Sequence, residues 1–315
     1  MKKLTKVIGI LILICLGLGL LLPAIFSSLG YNFYVLPPSL ERLGRDGINK
    51  MDKFGIYSST SQWTAAKTSY LDKVKAIESE KDLVKLLNDA AKIAGGKHSA
   101  AFTLQTEEER EKSYIEPSIK RQGDLVYIKV PEFVSTSERE EAYANKISAA
   151  LEGGQIKKVI VDLRDNPGGS MYPMLLGLSP LFPDGRIFSL VDKNNKETLT
   201  IDLENGKIKS YHGLEVSNKN KLTDTKIAVL IGPNTGSSGE ATLLAFKGLE
   251  NVRTFGTDTA GYLSVNQSFP LWENIMLNLT VGFFKDRQGN IYGEESLSPD
   301  LVTEDPYQAA IDWLN

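Results

Sequence analysis

Cysteine is all but missing from this sequence. The one cysteine in 315 residues, Cys15, lies inside an apolar run, so no disulfide can staple the rest of the chain. Histidine is nearly as scarce: His98 and His212 stand alone, neither has a neighbour at zinc-ligand spacing, and no metal or cofactor is expected. Excess positive charge is absent too. The net charge is −3, and three of the basic residues sit ahead of the apolar run, so the remainder is more acidic still. That excludes nucleic acid as a natural partner and favours a cationic ligand. Internal repeats and low-complexity tracts are also lacking, and a composition 42% hydrophobic and 24% charged suits globular structure.

What is present begins with Lys2, Lys3 and Lys6, followed by Val7 to Phe26 without a charge. Roughly 20 apolar residues at about 1.5 Å each span a bilayer core. A cleaved signal peptide would carry a shorter apolar region and a small-residue cleavage site, and "LLPAIFSSLG" is a poor one. Residues 1–26 are therefore expected to be an uncleaved transmembrane helix, with the lysines holding the N-terminus inside and all that follows outside. An exported chain without cysteine fits a bacterial cell surface, most simply that of a Gram-positive cell.

Beyond the tether "YNFYVLPPS", residues 39–54, 61–78 and 81–94 read as helices, the last with Leu83, Leu87, Ala90 and Ala91 on one stripe. Residues 27–95 are expected to form a helical bundle. Residues 125–133 alternate like a strand, 139–152 read as a helix, and 158–163 and 226–232 are continuous β-branched runs of the buried parallel kind. Around 186–222, paired strands flank "KNN" and "ENGK", which suggests a small antiparallel β cap inserted in a core covering 96–315. The fold class expected is mixed α/β, or α+β.

Two Gly-rich loops follow the buried strands: "DLRDNPGGS" (162–170) and "GPNTGSSGE" (232–240). In open α/β sheets ligands bind beyond the carboxyl ends of strands, so these loops should meet. Ser237 and Glu240 fit a capping box, in which serine and glutamate satisfy each other's backbone amides. The same spot can hold a nucleophile, because a helix start offers free N–H groups to a developing oxyanion. A serine nucleophile needs a base. His212 sits beside a glycine in polar surroundings and reads as a surface turn, whereas His98, in "AGGKHSAAF", follows a glycine pair at a helix end.

Taken together, "VIVDLRDNPGG", "NTGSSGEA", "GTDTAGYLSVNQ" and "LSPDL" resemble the successive blocks of the S41 serine peptidases, the C-terminal processing or tail-specific proteases. The anchor, "GGKHS", "VPEF" and "GLSPLFPDG" are similar to a membrane-anchored branch, the nisin-resistance proteins of Gram-positive cocci. The resemblance implies an S41 peptidase core acting as a Ser–His endopeptidase on the C-terminal tail of a cationic lantibiotic such as nisin. It implies Ser237 as nucleophile, His98 as general base, and Ser238 with Gly168 and Gly169 as the oxyanion hole. Where Ser–Lys members carry a lysine, this chain reads "TAGYL", so Tyr262 stands there and the base must come from elsewhere. Lys97, not a serine, precedes His98, and no group is assigned to orient its ring. The region before 158 is too short for a PDZ domain as well.

Three other readings are compatible with the same residues. The first is an inactive protein that sequesters the peptide, the second a general surface tail-specific protease, and the third an acyl-transfer enzyme on a crotonase-like fold, which the missing cofactor loop disfavours. The acidic stretches "TEEEREK" and "SEREEAY" could steer a cationic peptide, although such runs are commonly solvated helix faces.

Overall fold

The computed structural model describes Tyr34 and residues 36–315; the expected transmembrane helix 1–26 lies outside the described residues. Among the described residues no helix is long and apolar enough to cross a membrane. The chain divides into two units, one comprising residues up to Leu104 together with Asn266–Val281, the other Gln105–Val265 with Gly282–Asn315.

The first unit is built on three helices, Leu40–Phe54, Ser61–Lys73 and Glu80–Gly95. Each starts at a hydroxyl cap, Ser39, Thr60 and Ser79, whose side chain accepts an orphan backbone N–H. The second helix tightens into a 3₁₀ turn at Val74–Ala76, before the expected end at 78. Gly44 and Gly47 let the first helix approach closely, since a Cβ at Gly44 would lie 2.5 Å from Val74 Cγ1. The apolar stripes of the helices meet Phe269, Leu271, Leu277 and Leu279 from the returning strands, all buried. Ala100–Thr103 pairs antiparallel with residues 275–278 there.

The second unit is organised by a six-stranded sheet in the order Leu301–Val302, Val252–Gly256, Lys226–Ile231, Lys158–Asp162, Leu125–Lys129, Ser118–Gln122. The pairs are parallel except the last, Leu125–Lys129 with Ser118–Gln122. Side chains alternate between faces along a strand, so a strand covered on both sides must be apolar throughout. Val159 and Val161 accordingly enter the large core, and Ile160 packs on the opposite face with Ala310 and Leu314 of the C-terminal helix Pro306–Leu314. Helices Ser137–Ala150, Met171–Gly177 and Ser238–Leu244 supply the large core's other wall.

The region read as a cap forms antiparallel strands Gly185–Val191, Glu197–Glu204 and Lys207–Ile208. Asn195 and Asn205 turn the two hairpins at φ 61° and 52°, a left-handed conformation that asparagine tolerates better than most residues. Gly185–Val191 also pairs with residues 283–286. The strand expected over 125–133 stops at Lys129, since Pro131 has no N–H for a ladder. Beyond that point the chain leaves the sheet, and Phe133 instead makes a parallel bridge with Gly169. The stretch "TEEEREK" contributes an exposed helix, Glu107–Ser113, closed by a Thr106–Glu109 capping box.

Candidate active site

In the second unit the two Gly-rich loops leave the carboxyl ends of neighbouring parallel strands, Lys158–Asp162 and Lys226–Ile231, and the fold brings them together. Gly236 N–H donates to the Asn166 carbonyl at 2.9 Å, and the Thr235 hydroxyl donates to the Leu163 carbonyl at 2.8 Å. Ser238 Oγ donates to the Gly169 carbonyl at 2.5 Å. A cavity of about 510 Å³, lined in part by Lys158, Asp224 and Lys226, sits at the opposite ends of these strands.

Ser237 precedes the first residue of helix Ser238–Leu244 and differs from the chain's ordinary caps. Ser39, Thr60, Ser79 and Thr106 are extended, as an N-cap should be, whereas Ser237 lies at φ 49°, ψ −116°. A non-glycine residue held there costs of order 1–3 kcal/mol and persists only where the surroundings impose it. Sharp, strained strand-to-helix turns of this kind lift a serine hydroxyl out of the backbone, as at a nucleophile elbow. Ser237 is half-buried.

Glu240 imposes the conformation. Its carboxylate is fully buried and accepts the Ser237 N–H at 3.0 Å, the glutamate half of the expected capping box. It also accepts Gly261 N–H at 2.9 Å, Tyr262 N–H at 2.7 Å and the Thr259 hydroxyl. Such full satisfaction is what a buried carboxylate requires. The residue at the position of the missing lysine, Tyr262, thus joins this hub through its backbone.

Gly168 is as close as a neighbour can be: a Cβ there would lie 2.8 Å from Ser237 Cβ and 3.2 Å from its Oγ, at φ 130°. Its own N–H donates to Asn166 Oδ1 at 3.0 Å. Gly169, at φ 96°, is exposed, and a Cβ there would meet the Phe133 carbonyl at 2.0 Å. Among the described residues, the N–H groups of Gly169 and Ser238 have no hydrogen-bond acceptor. The loop therefore offers Gly169 and Ser238 as its free donors, with Gly168 supplying room.

Asn166, unnoticed in the sequence, is the latch. Fully buried, it donates Nδ2 to the Val130 and Pro131 carbonyls at 3.0 and 3.2 Å while accepting from Gly168 and Gly236. A polar residue immediately before "PGG" was the available signal. Upstream, Asp162 receives Arg164 Nε at 2.9 Å, Arg164 Nη2 at 2.7 Å and the Tyr127 hydroxyl at 2.7 Å. Burial raises the Asp162 carboxyl, but these hydrogen bonds outweigh it and hold the group below the usual carboxylate range.

His98 belongs to the first unit, in the turn after helix Glu80–Gly95, and is half-buried. Its carbonyl accepts Asn266 Nδ2 at 2.9 Å. His212 is exposed, on the antiparallel insertion. Among the described residues no cluster of His, Cys, Asp and Glu could hold a metal ion.

Residues 124–303 match the model of peptidase family S41. The chain is 38% identical over 288 residues to the nisin-resistance protein of Lactococcus lactis subsp. lactis, covering 90% of each. It is 26% identical over 187 residues to a carboxy-terminal-processing protease of Bartonella bacilliformis, covering 59% of this chain and 40% of that one. The structure of a lipoprotein from Streptococcus agalactiae superposes with a TM-score of 0.80 at 33% identity, covering 90% of this chain and 98% of the other. The photosystem II D1 C-terminal processing protease shares the fold, with a TM-score of 0.58 at 12% identity over 86% and 94% of the two chains. The strained serine between two glycine loops and these likenesses converge: the chain belongs to peptidase family S41 and is a serine peptidase.

Proposed function

We propose that the protein is a membrane-anchored, extracellular endopeptidase that removes the C-terminal tail of a lantibiotic such as nisin and so confers resistance. The observation that carries the chemistry is Ser237 at φ 49°, beside Gly168 and next to the unengaged amides of Gly169 and Ser238. The substrate is carried by the 38% identity to a nisin-resistance protein over 90% of both chains.

In this reading His98 takes the proton of Ser237, and Oγ attacks the peptide carbonyl. The N–H groups of Ser238 and Gly169 receive the oxyanion, with Gly168 giving them room. The amine leaves with the proton, and water then releases the acyl-enzyme by the same route. Tyr262 in place of a lysine supports histidine as the base, because it removes the alternative amine. Loss of one oxyanion donor typically costs about 10²–10³ in rate.

The test is mass spectrometry of nisin incubated with residues 27–315, beside the Ser237→Ala and His98→Ala proteins. A discrete truncated nisin made by the unmutated protein alone is expected. Intact nisin in all three, with cells protected equally by Ser237→Ala, would replace cleavage by sequestration.

A further inference from the structure

We propose that Thr280, together with Ser99, is a positioning residue for His98, acting through Asn266. The inference rests on reading His98 as the general base. All four residues lie in the first unit.

The hydrogen bonds form one directed chain. Thr280 N–H donates to Ser99 Oγ at 2.9 Å, and the Ser99 hydroxyl donates to Thr280 Oγ1 at 3.2 Å. The Thr280 hydroxyl donates to Asn266 Oδ1 at 2.7 Å, and Asn266 Nδ2 donates to the His98 carbonyl at 2.9 Å. Each hydroxyl thus donates once and accepts once, so one Asn266 rotamer is favoured, with its amide nitrogen towards His98. Ser99 and Thr280 are 1% and 0% exposed, and two hydroxyls so buried are costly unless satisfied. Packing alone would favour valine and alanine at these positions.

The chain grips the backbone immediately after the imidazole's own Cα. Ser99 follows His98 directly and is fixed to the strand, while the carbonyl of His98 is fixed by Asn266. On the other flank Gly96 turns at φ 82°, and Ser99 N–H closes the turn onto its carbonyl at 3.1 Å. A Cβ at Gly95 would lie 2.1 Å from Ser99 Oγ, so the glycine keeps space for this hydroxyl. A base must be held within a fraction of an ångström of its reacting partner, and a turn on its own does not supply that.

The experiment compares wild type, Thr280→Val, Thr280→Ser, Ser99→Ala and His98→Ala. It reads the rate at which a fluorophosphonate labels Ser237, kcat and KM on nisin, and thermal melting. Thr280→Val is expected to slow labelling and kcat about ten- to a hundred-fold with KM changed less than about two-fold, while Thr280→Ser stays near wild type. Valine keeps the shape and loses the hydroxyl; serine does the reverse. Wild-type rates in Thr280→Val, or an equal loss in Thr280→Ser, would overturn the proposal. Should Thr280→Val fail to fold, Ser99→Ala decides on the same readouts. If His98→Ala labels as fast as wild type, the base assignment has failed and the proposal with it. If His98→Ala is silent while Thr280→Val is fully active, the positioning role alone has failed.

Discussion

At the scale of single residues, a serine in S-x-x-E can be a cap or a nucleophile, and the backbone decides between them. Ser237 does what caps do through its amide, which Glu240 accepts, and departs from caps in its dihedral angles. The pattern was legible because its two residues are three apart. The rest of the Glu240 hub was not, since Thr259, Gly261 and Tyr262 come from a loop beyond the next strand. Glu240→Gln would turn an amide NH₂ towards backbone donors and leave two of them without an acceptor. Hydrogen bonds to a buried charge are worth about 1.5–3 kcal/mol each, so a loss of roughly 3 kcal/mol in urea unfolding is expected, along with slower turnover. A variant as stable and as active as wild type would remove Glu240 from this role.

At the scale of elements, the strands were the most readable feature. The runs at 158–163 and 226–232 emerge as Lys158–Asp162 and Lys226–Ile231 because burial on both faces demands continuous apolarity. Segments whose partner is distant were less readable. Phe133 falls out of phase with Val126, Ile128 and Val130 yet enters the same core, because its bridge partner is Gly169 rather than a residue of the adjacent strand. At the strand end, Asp162 ties the Arg164 turn to Tyr127 on the adjacent strand. Its carboxyl is lowered in the folded state, so its stabilising effect is fully present above the unfolded value, about 3.9, and is lost as pH falls through the lower folded value. Urea unfolding of wild type is therefore expected to weaken below about pH 4, and Asp162→Asn, weaker at neutral pH, should show a flatter acid limb. Parallel acid limbs would contradict the assignment.

At the scale of the whole molecule, the net negative charge and the uncharged run Val7 to Phe26 are what the proposed reading draws on for meeting a cationic peptide at a membrane. In that reading, tethering would raise the local concentration of enzyme at the membrane without changing its chemistry. Removing residues 1–26 should leave nisin cleavage in solution intact and lower the nisin concentration that cells survive by at least about ten-fold. Equal survival with the truncated protein exported would show that the leader contributes nothing to resistance.

By itself the sequence determined the local facts: helix caps, doubly buried strands, glycine turns, the S-x-x-E box, and the motif set that marks an S41 peptidase. These depend on residues near one another in the chain, where periodicity and turn chemistry act directly. Only the tertiary structure decided that residues 266–281 complete the core of the helical unit, with Leu277 and Leu279 buried among Leu83 and Leu87. It alone showed that the Gly168 amide is spent on Asn166 while Gly169 remains free, and that Ser99, Thr280 and Asn266 converge on His98. The reason is physical: buried polar groups must find partners, and in a folded chain those partners are chosen by proximity in space, which no local pattern encodes.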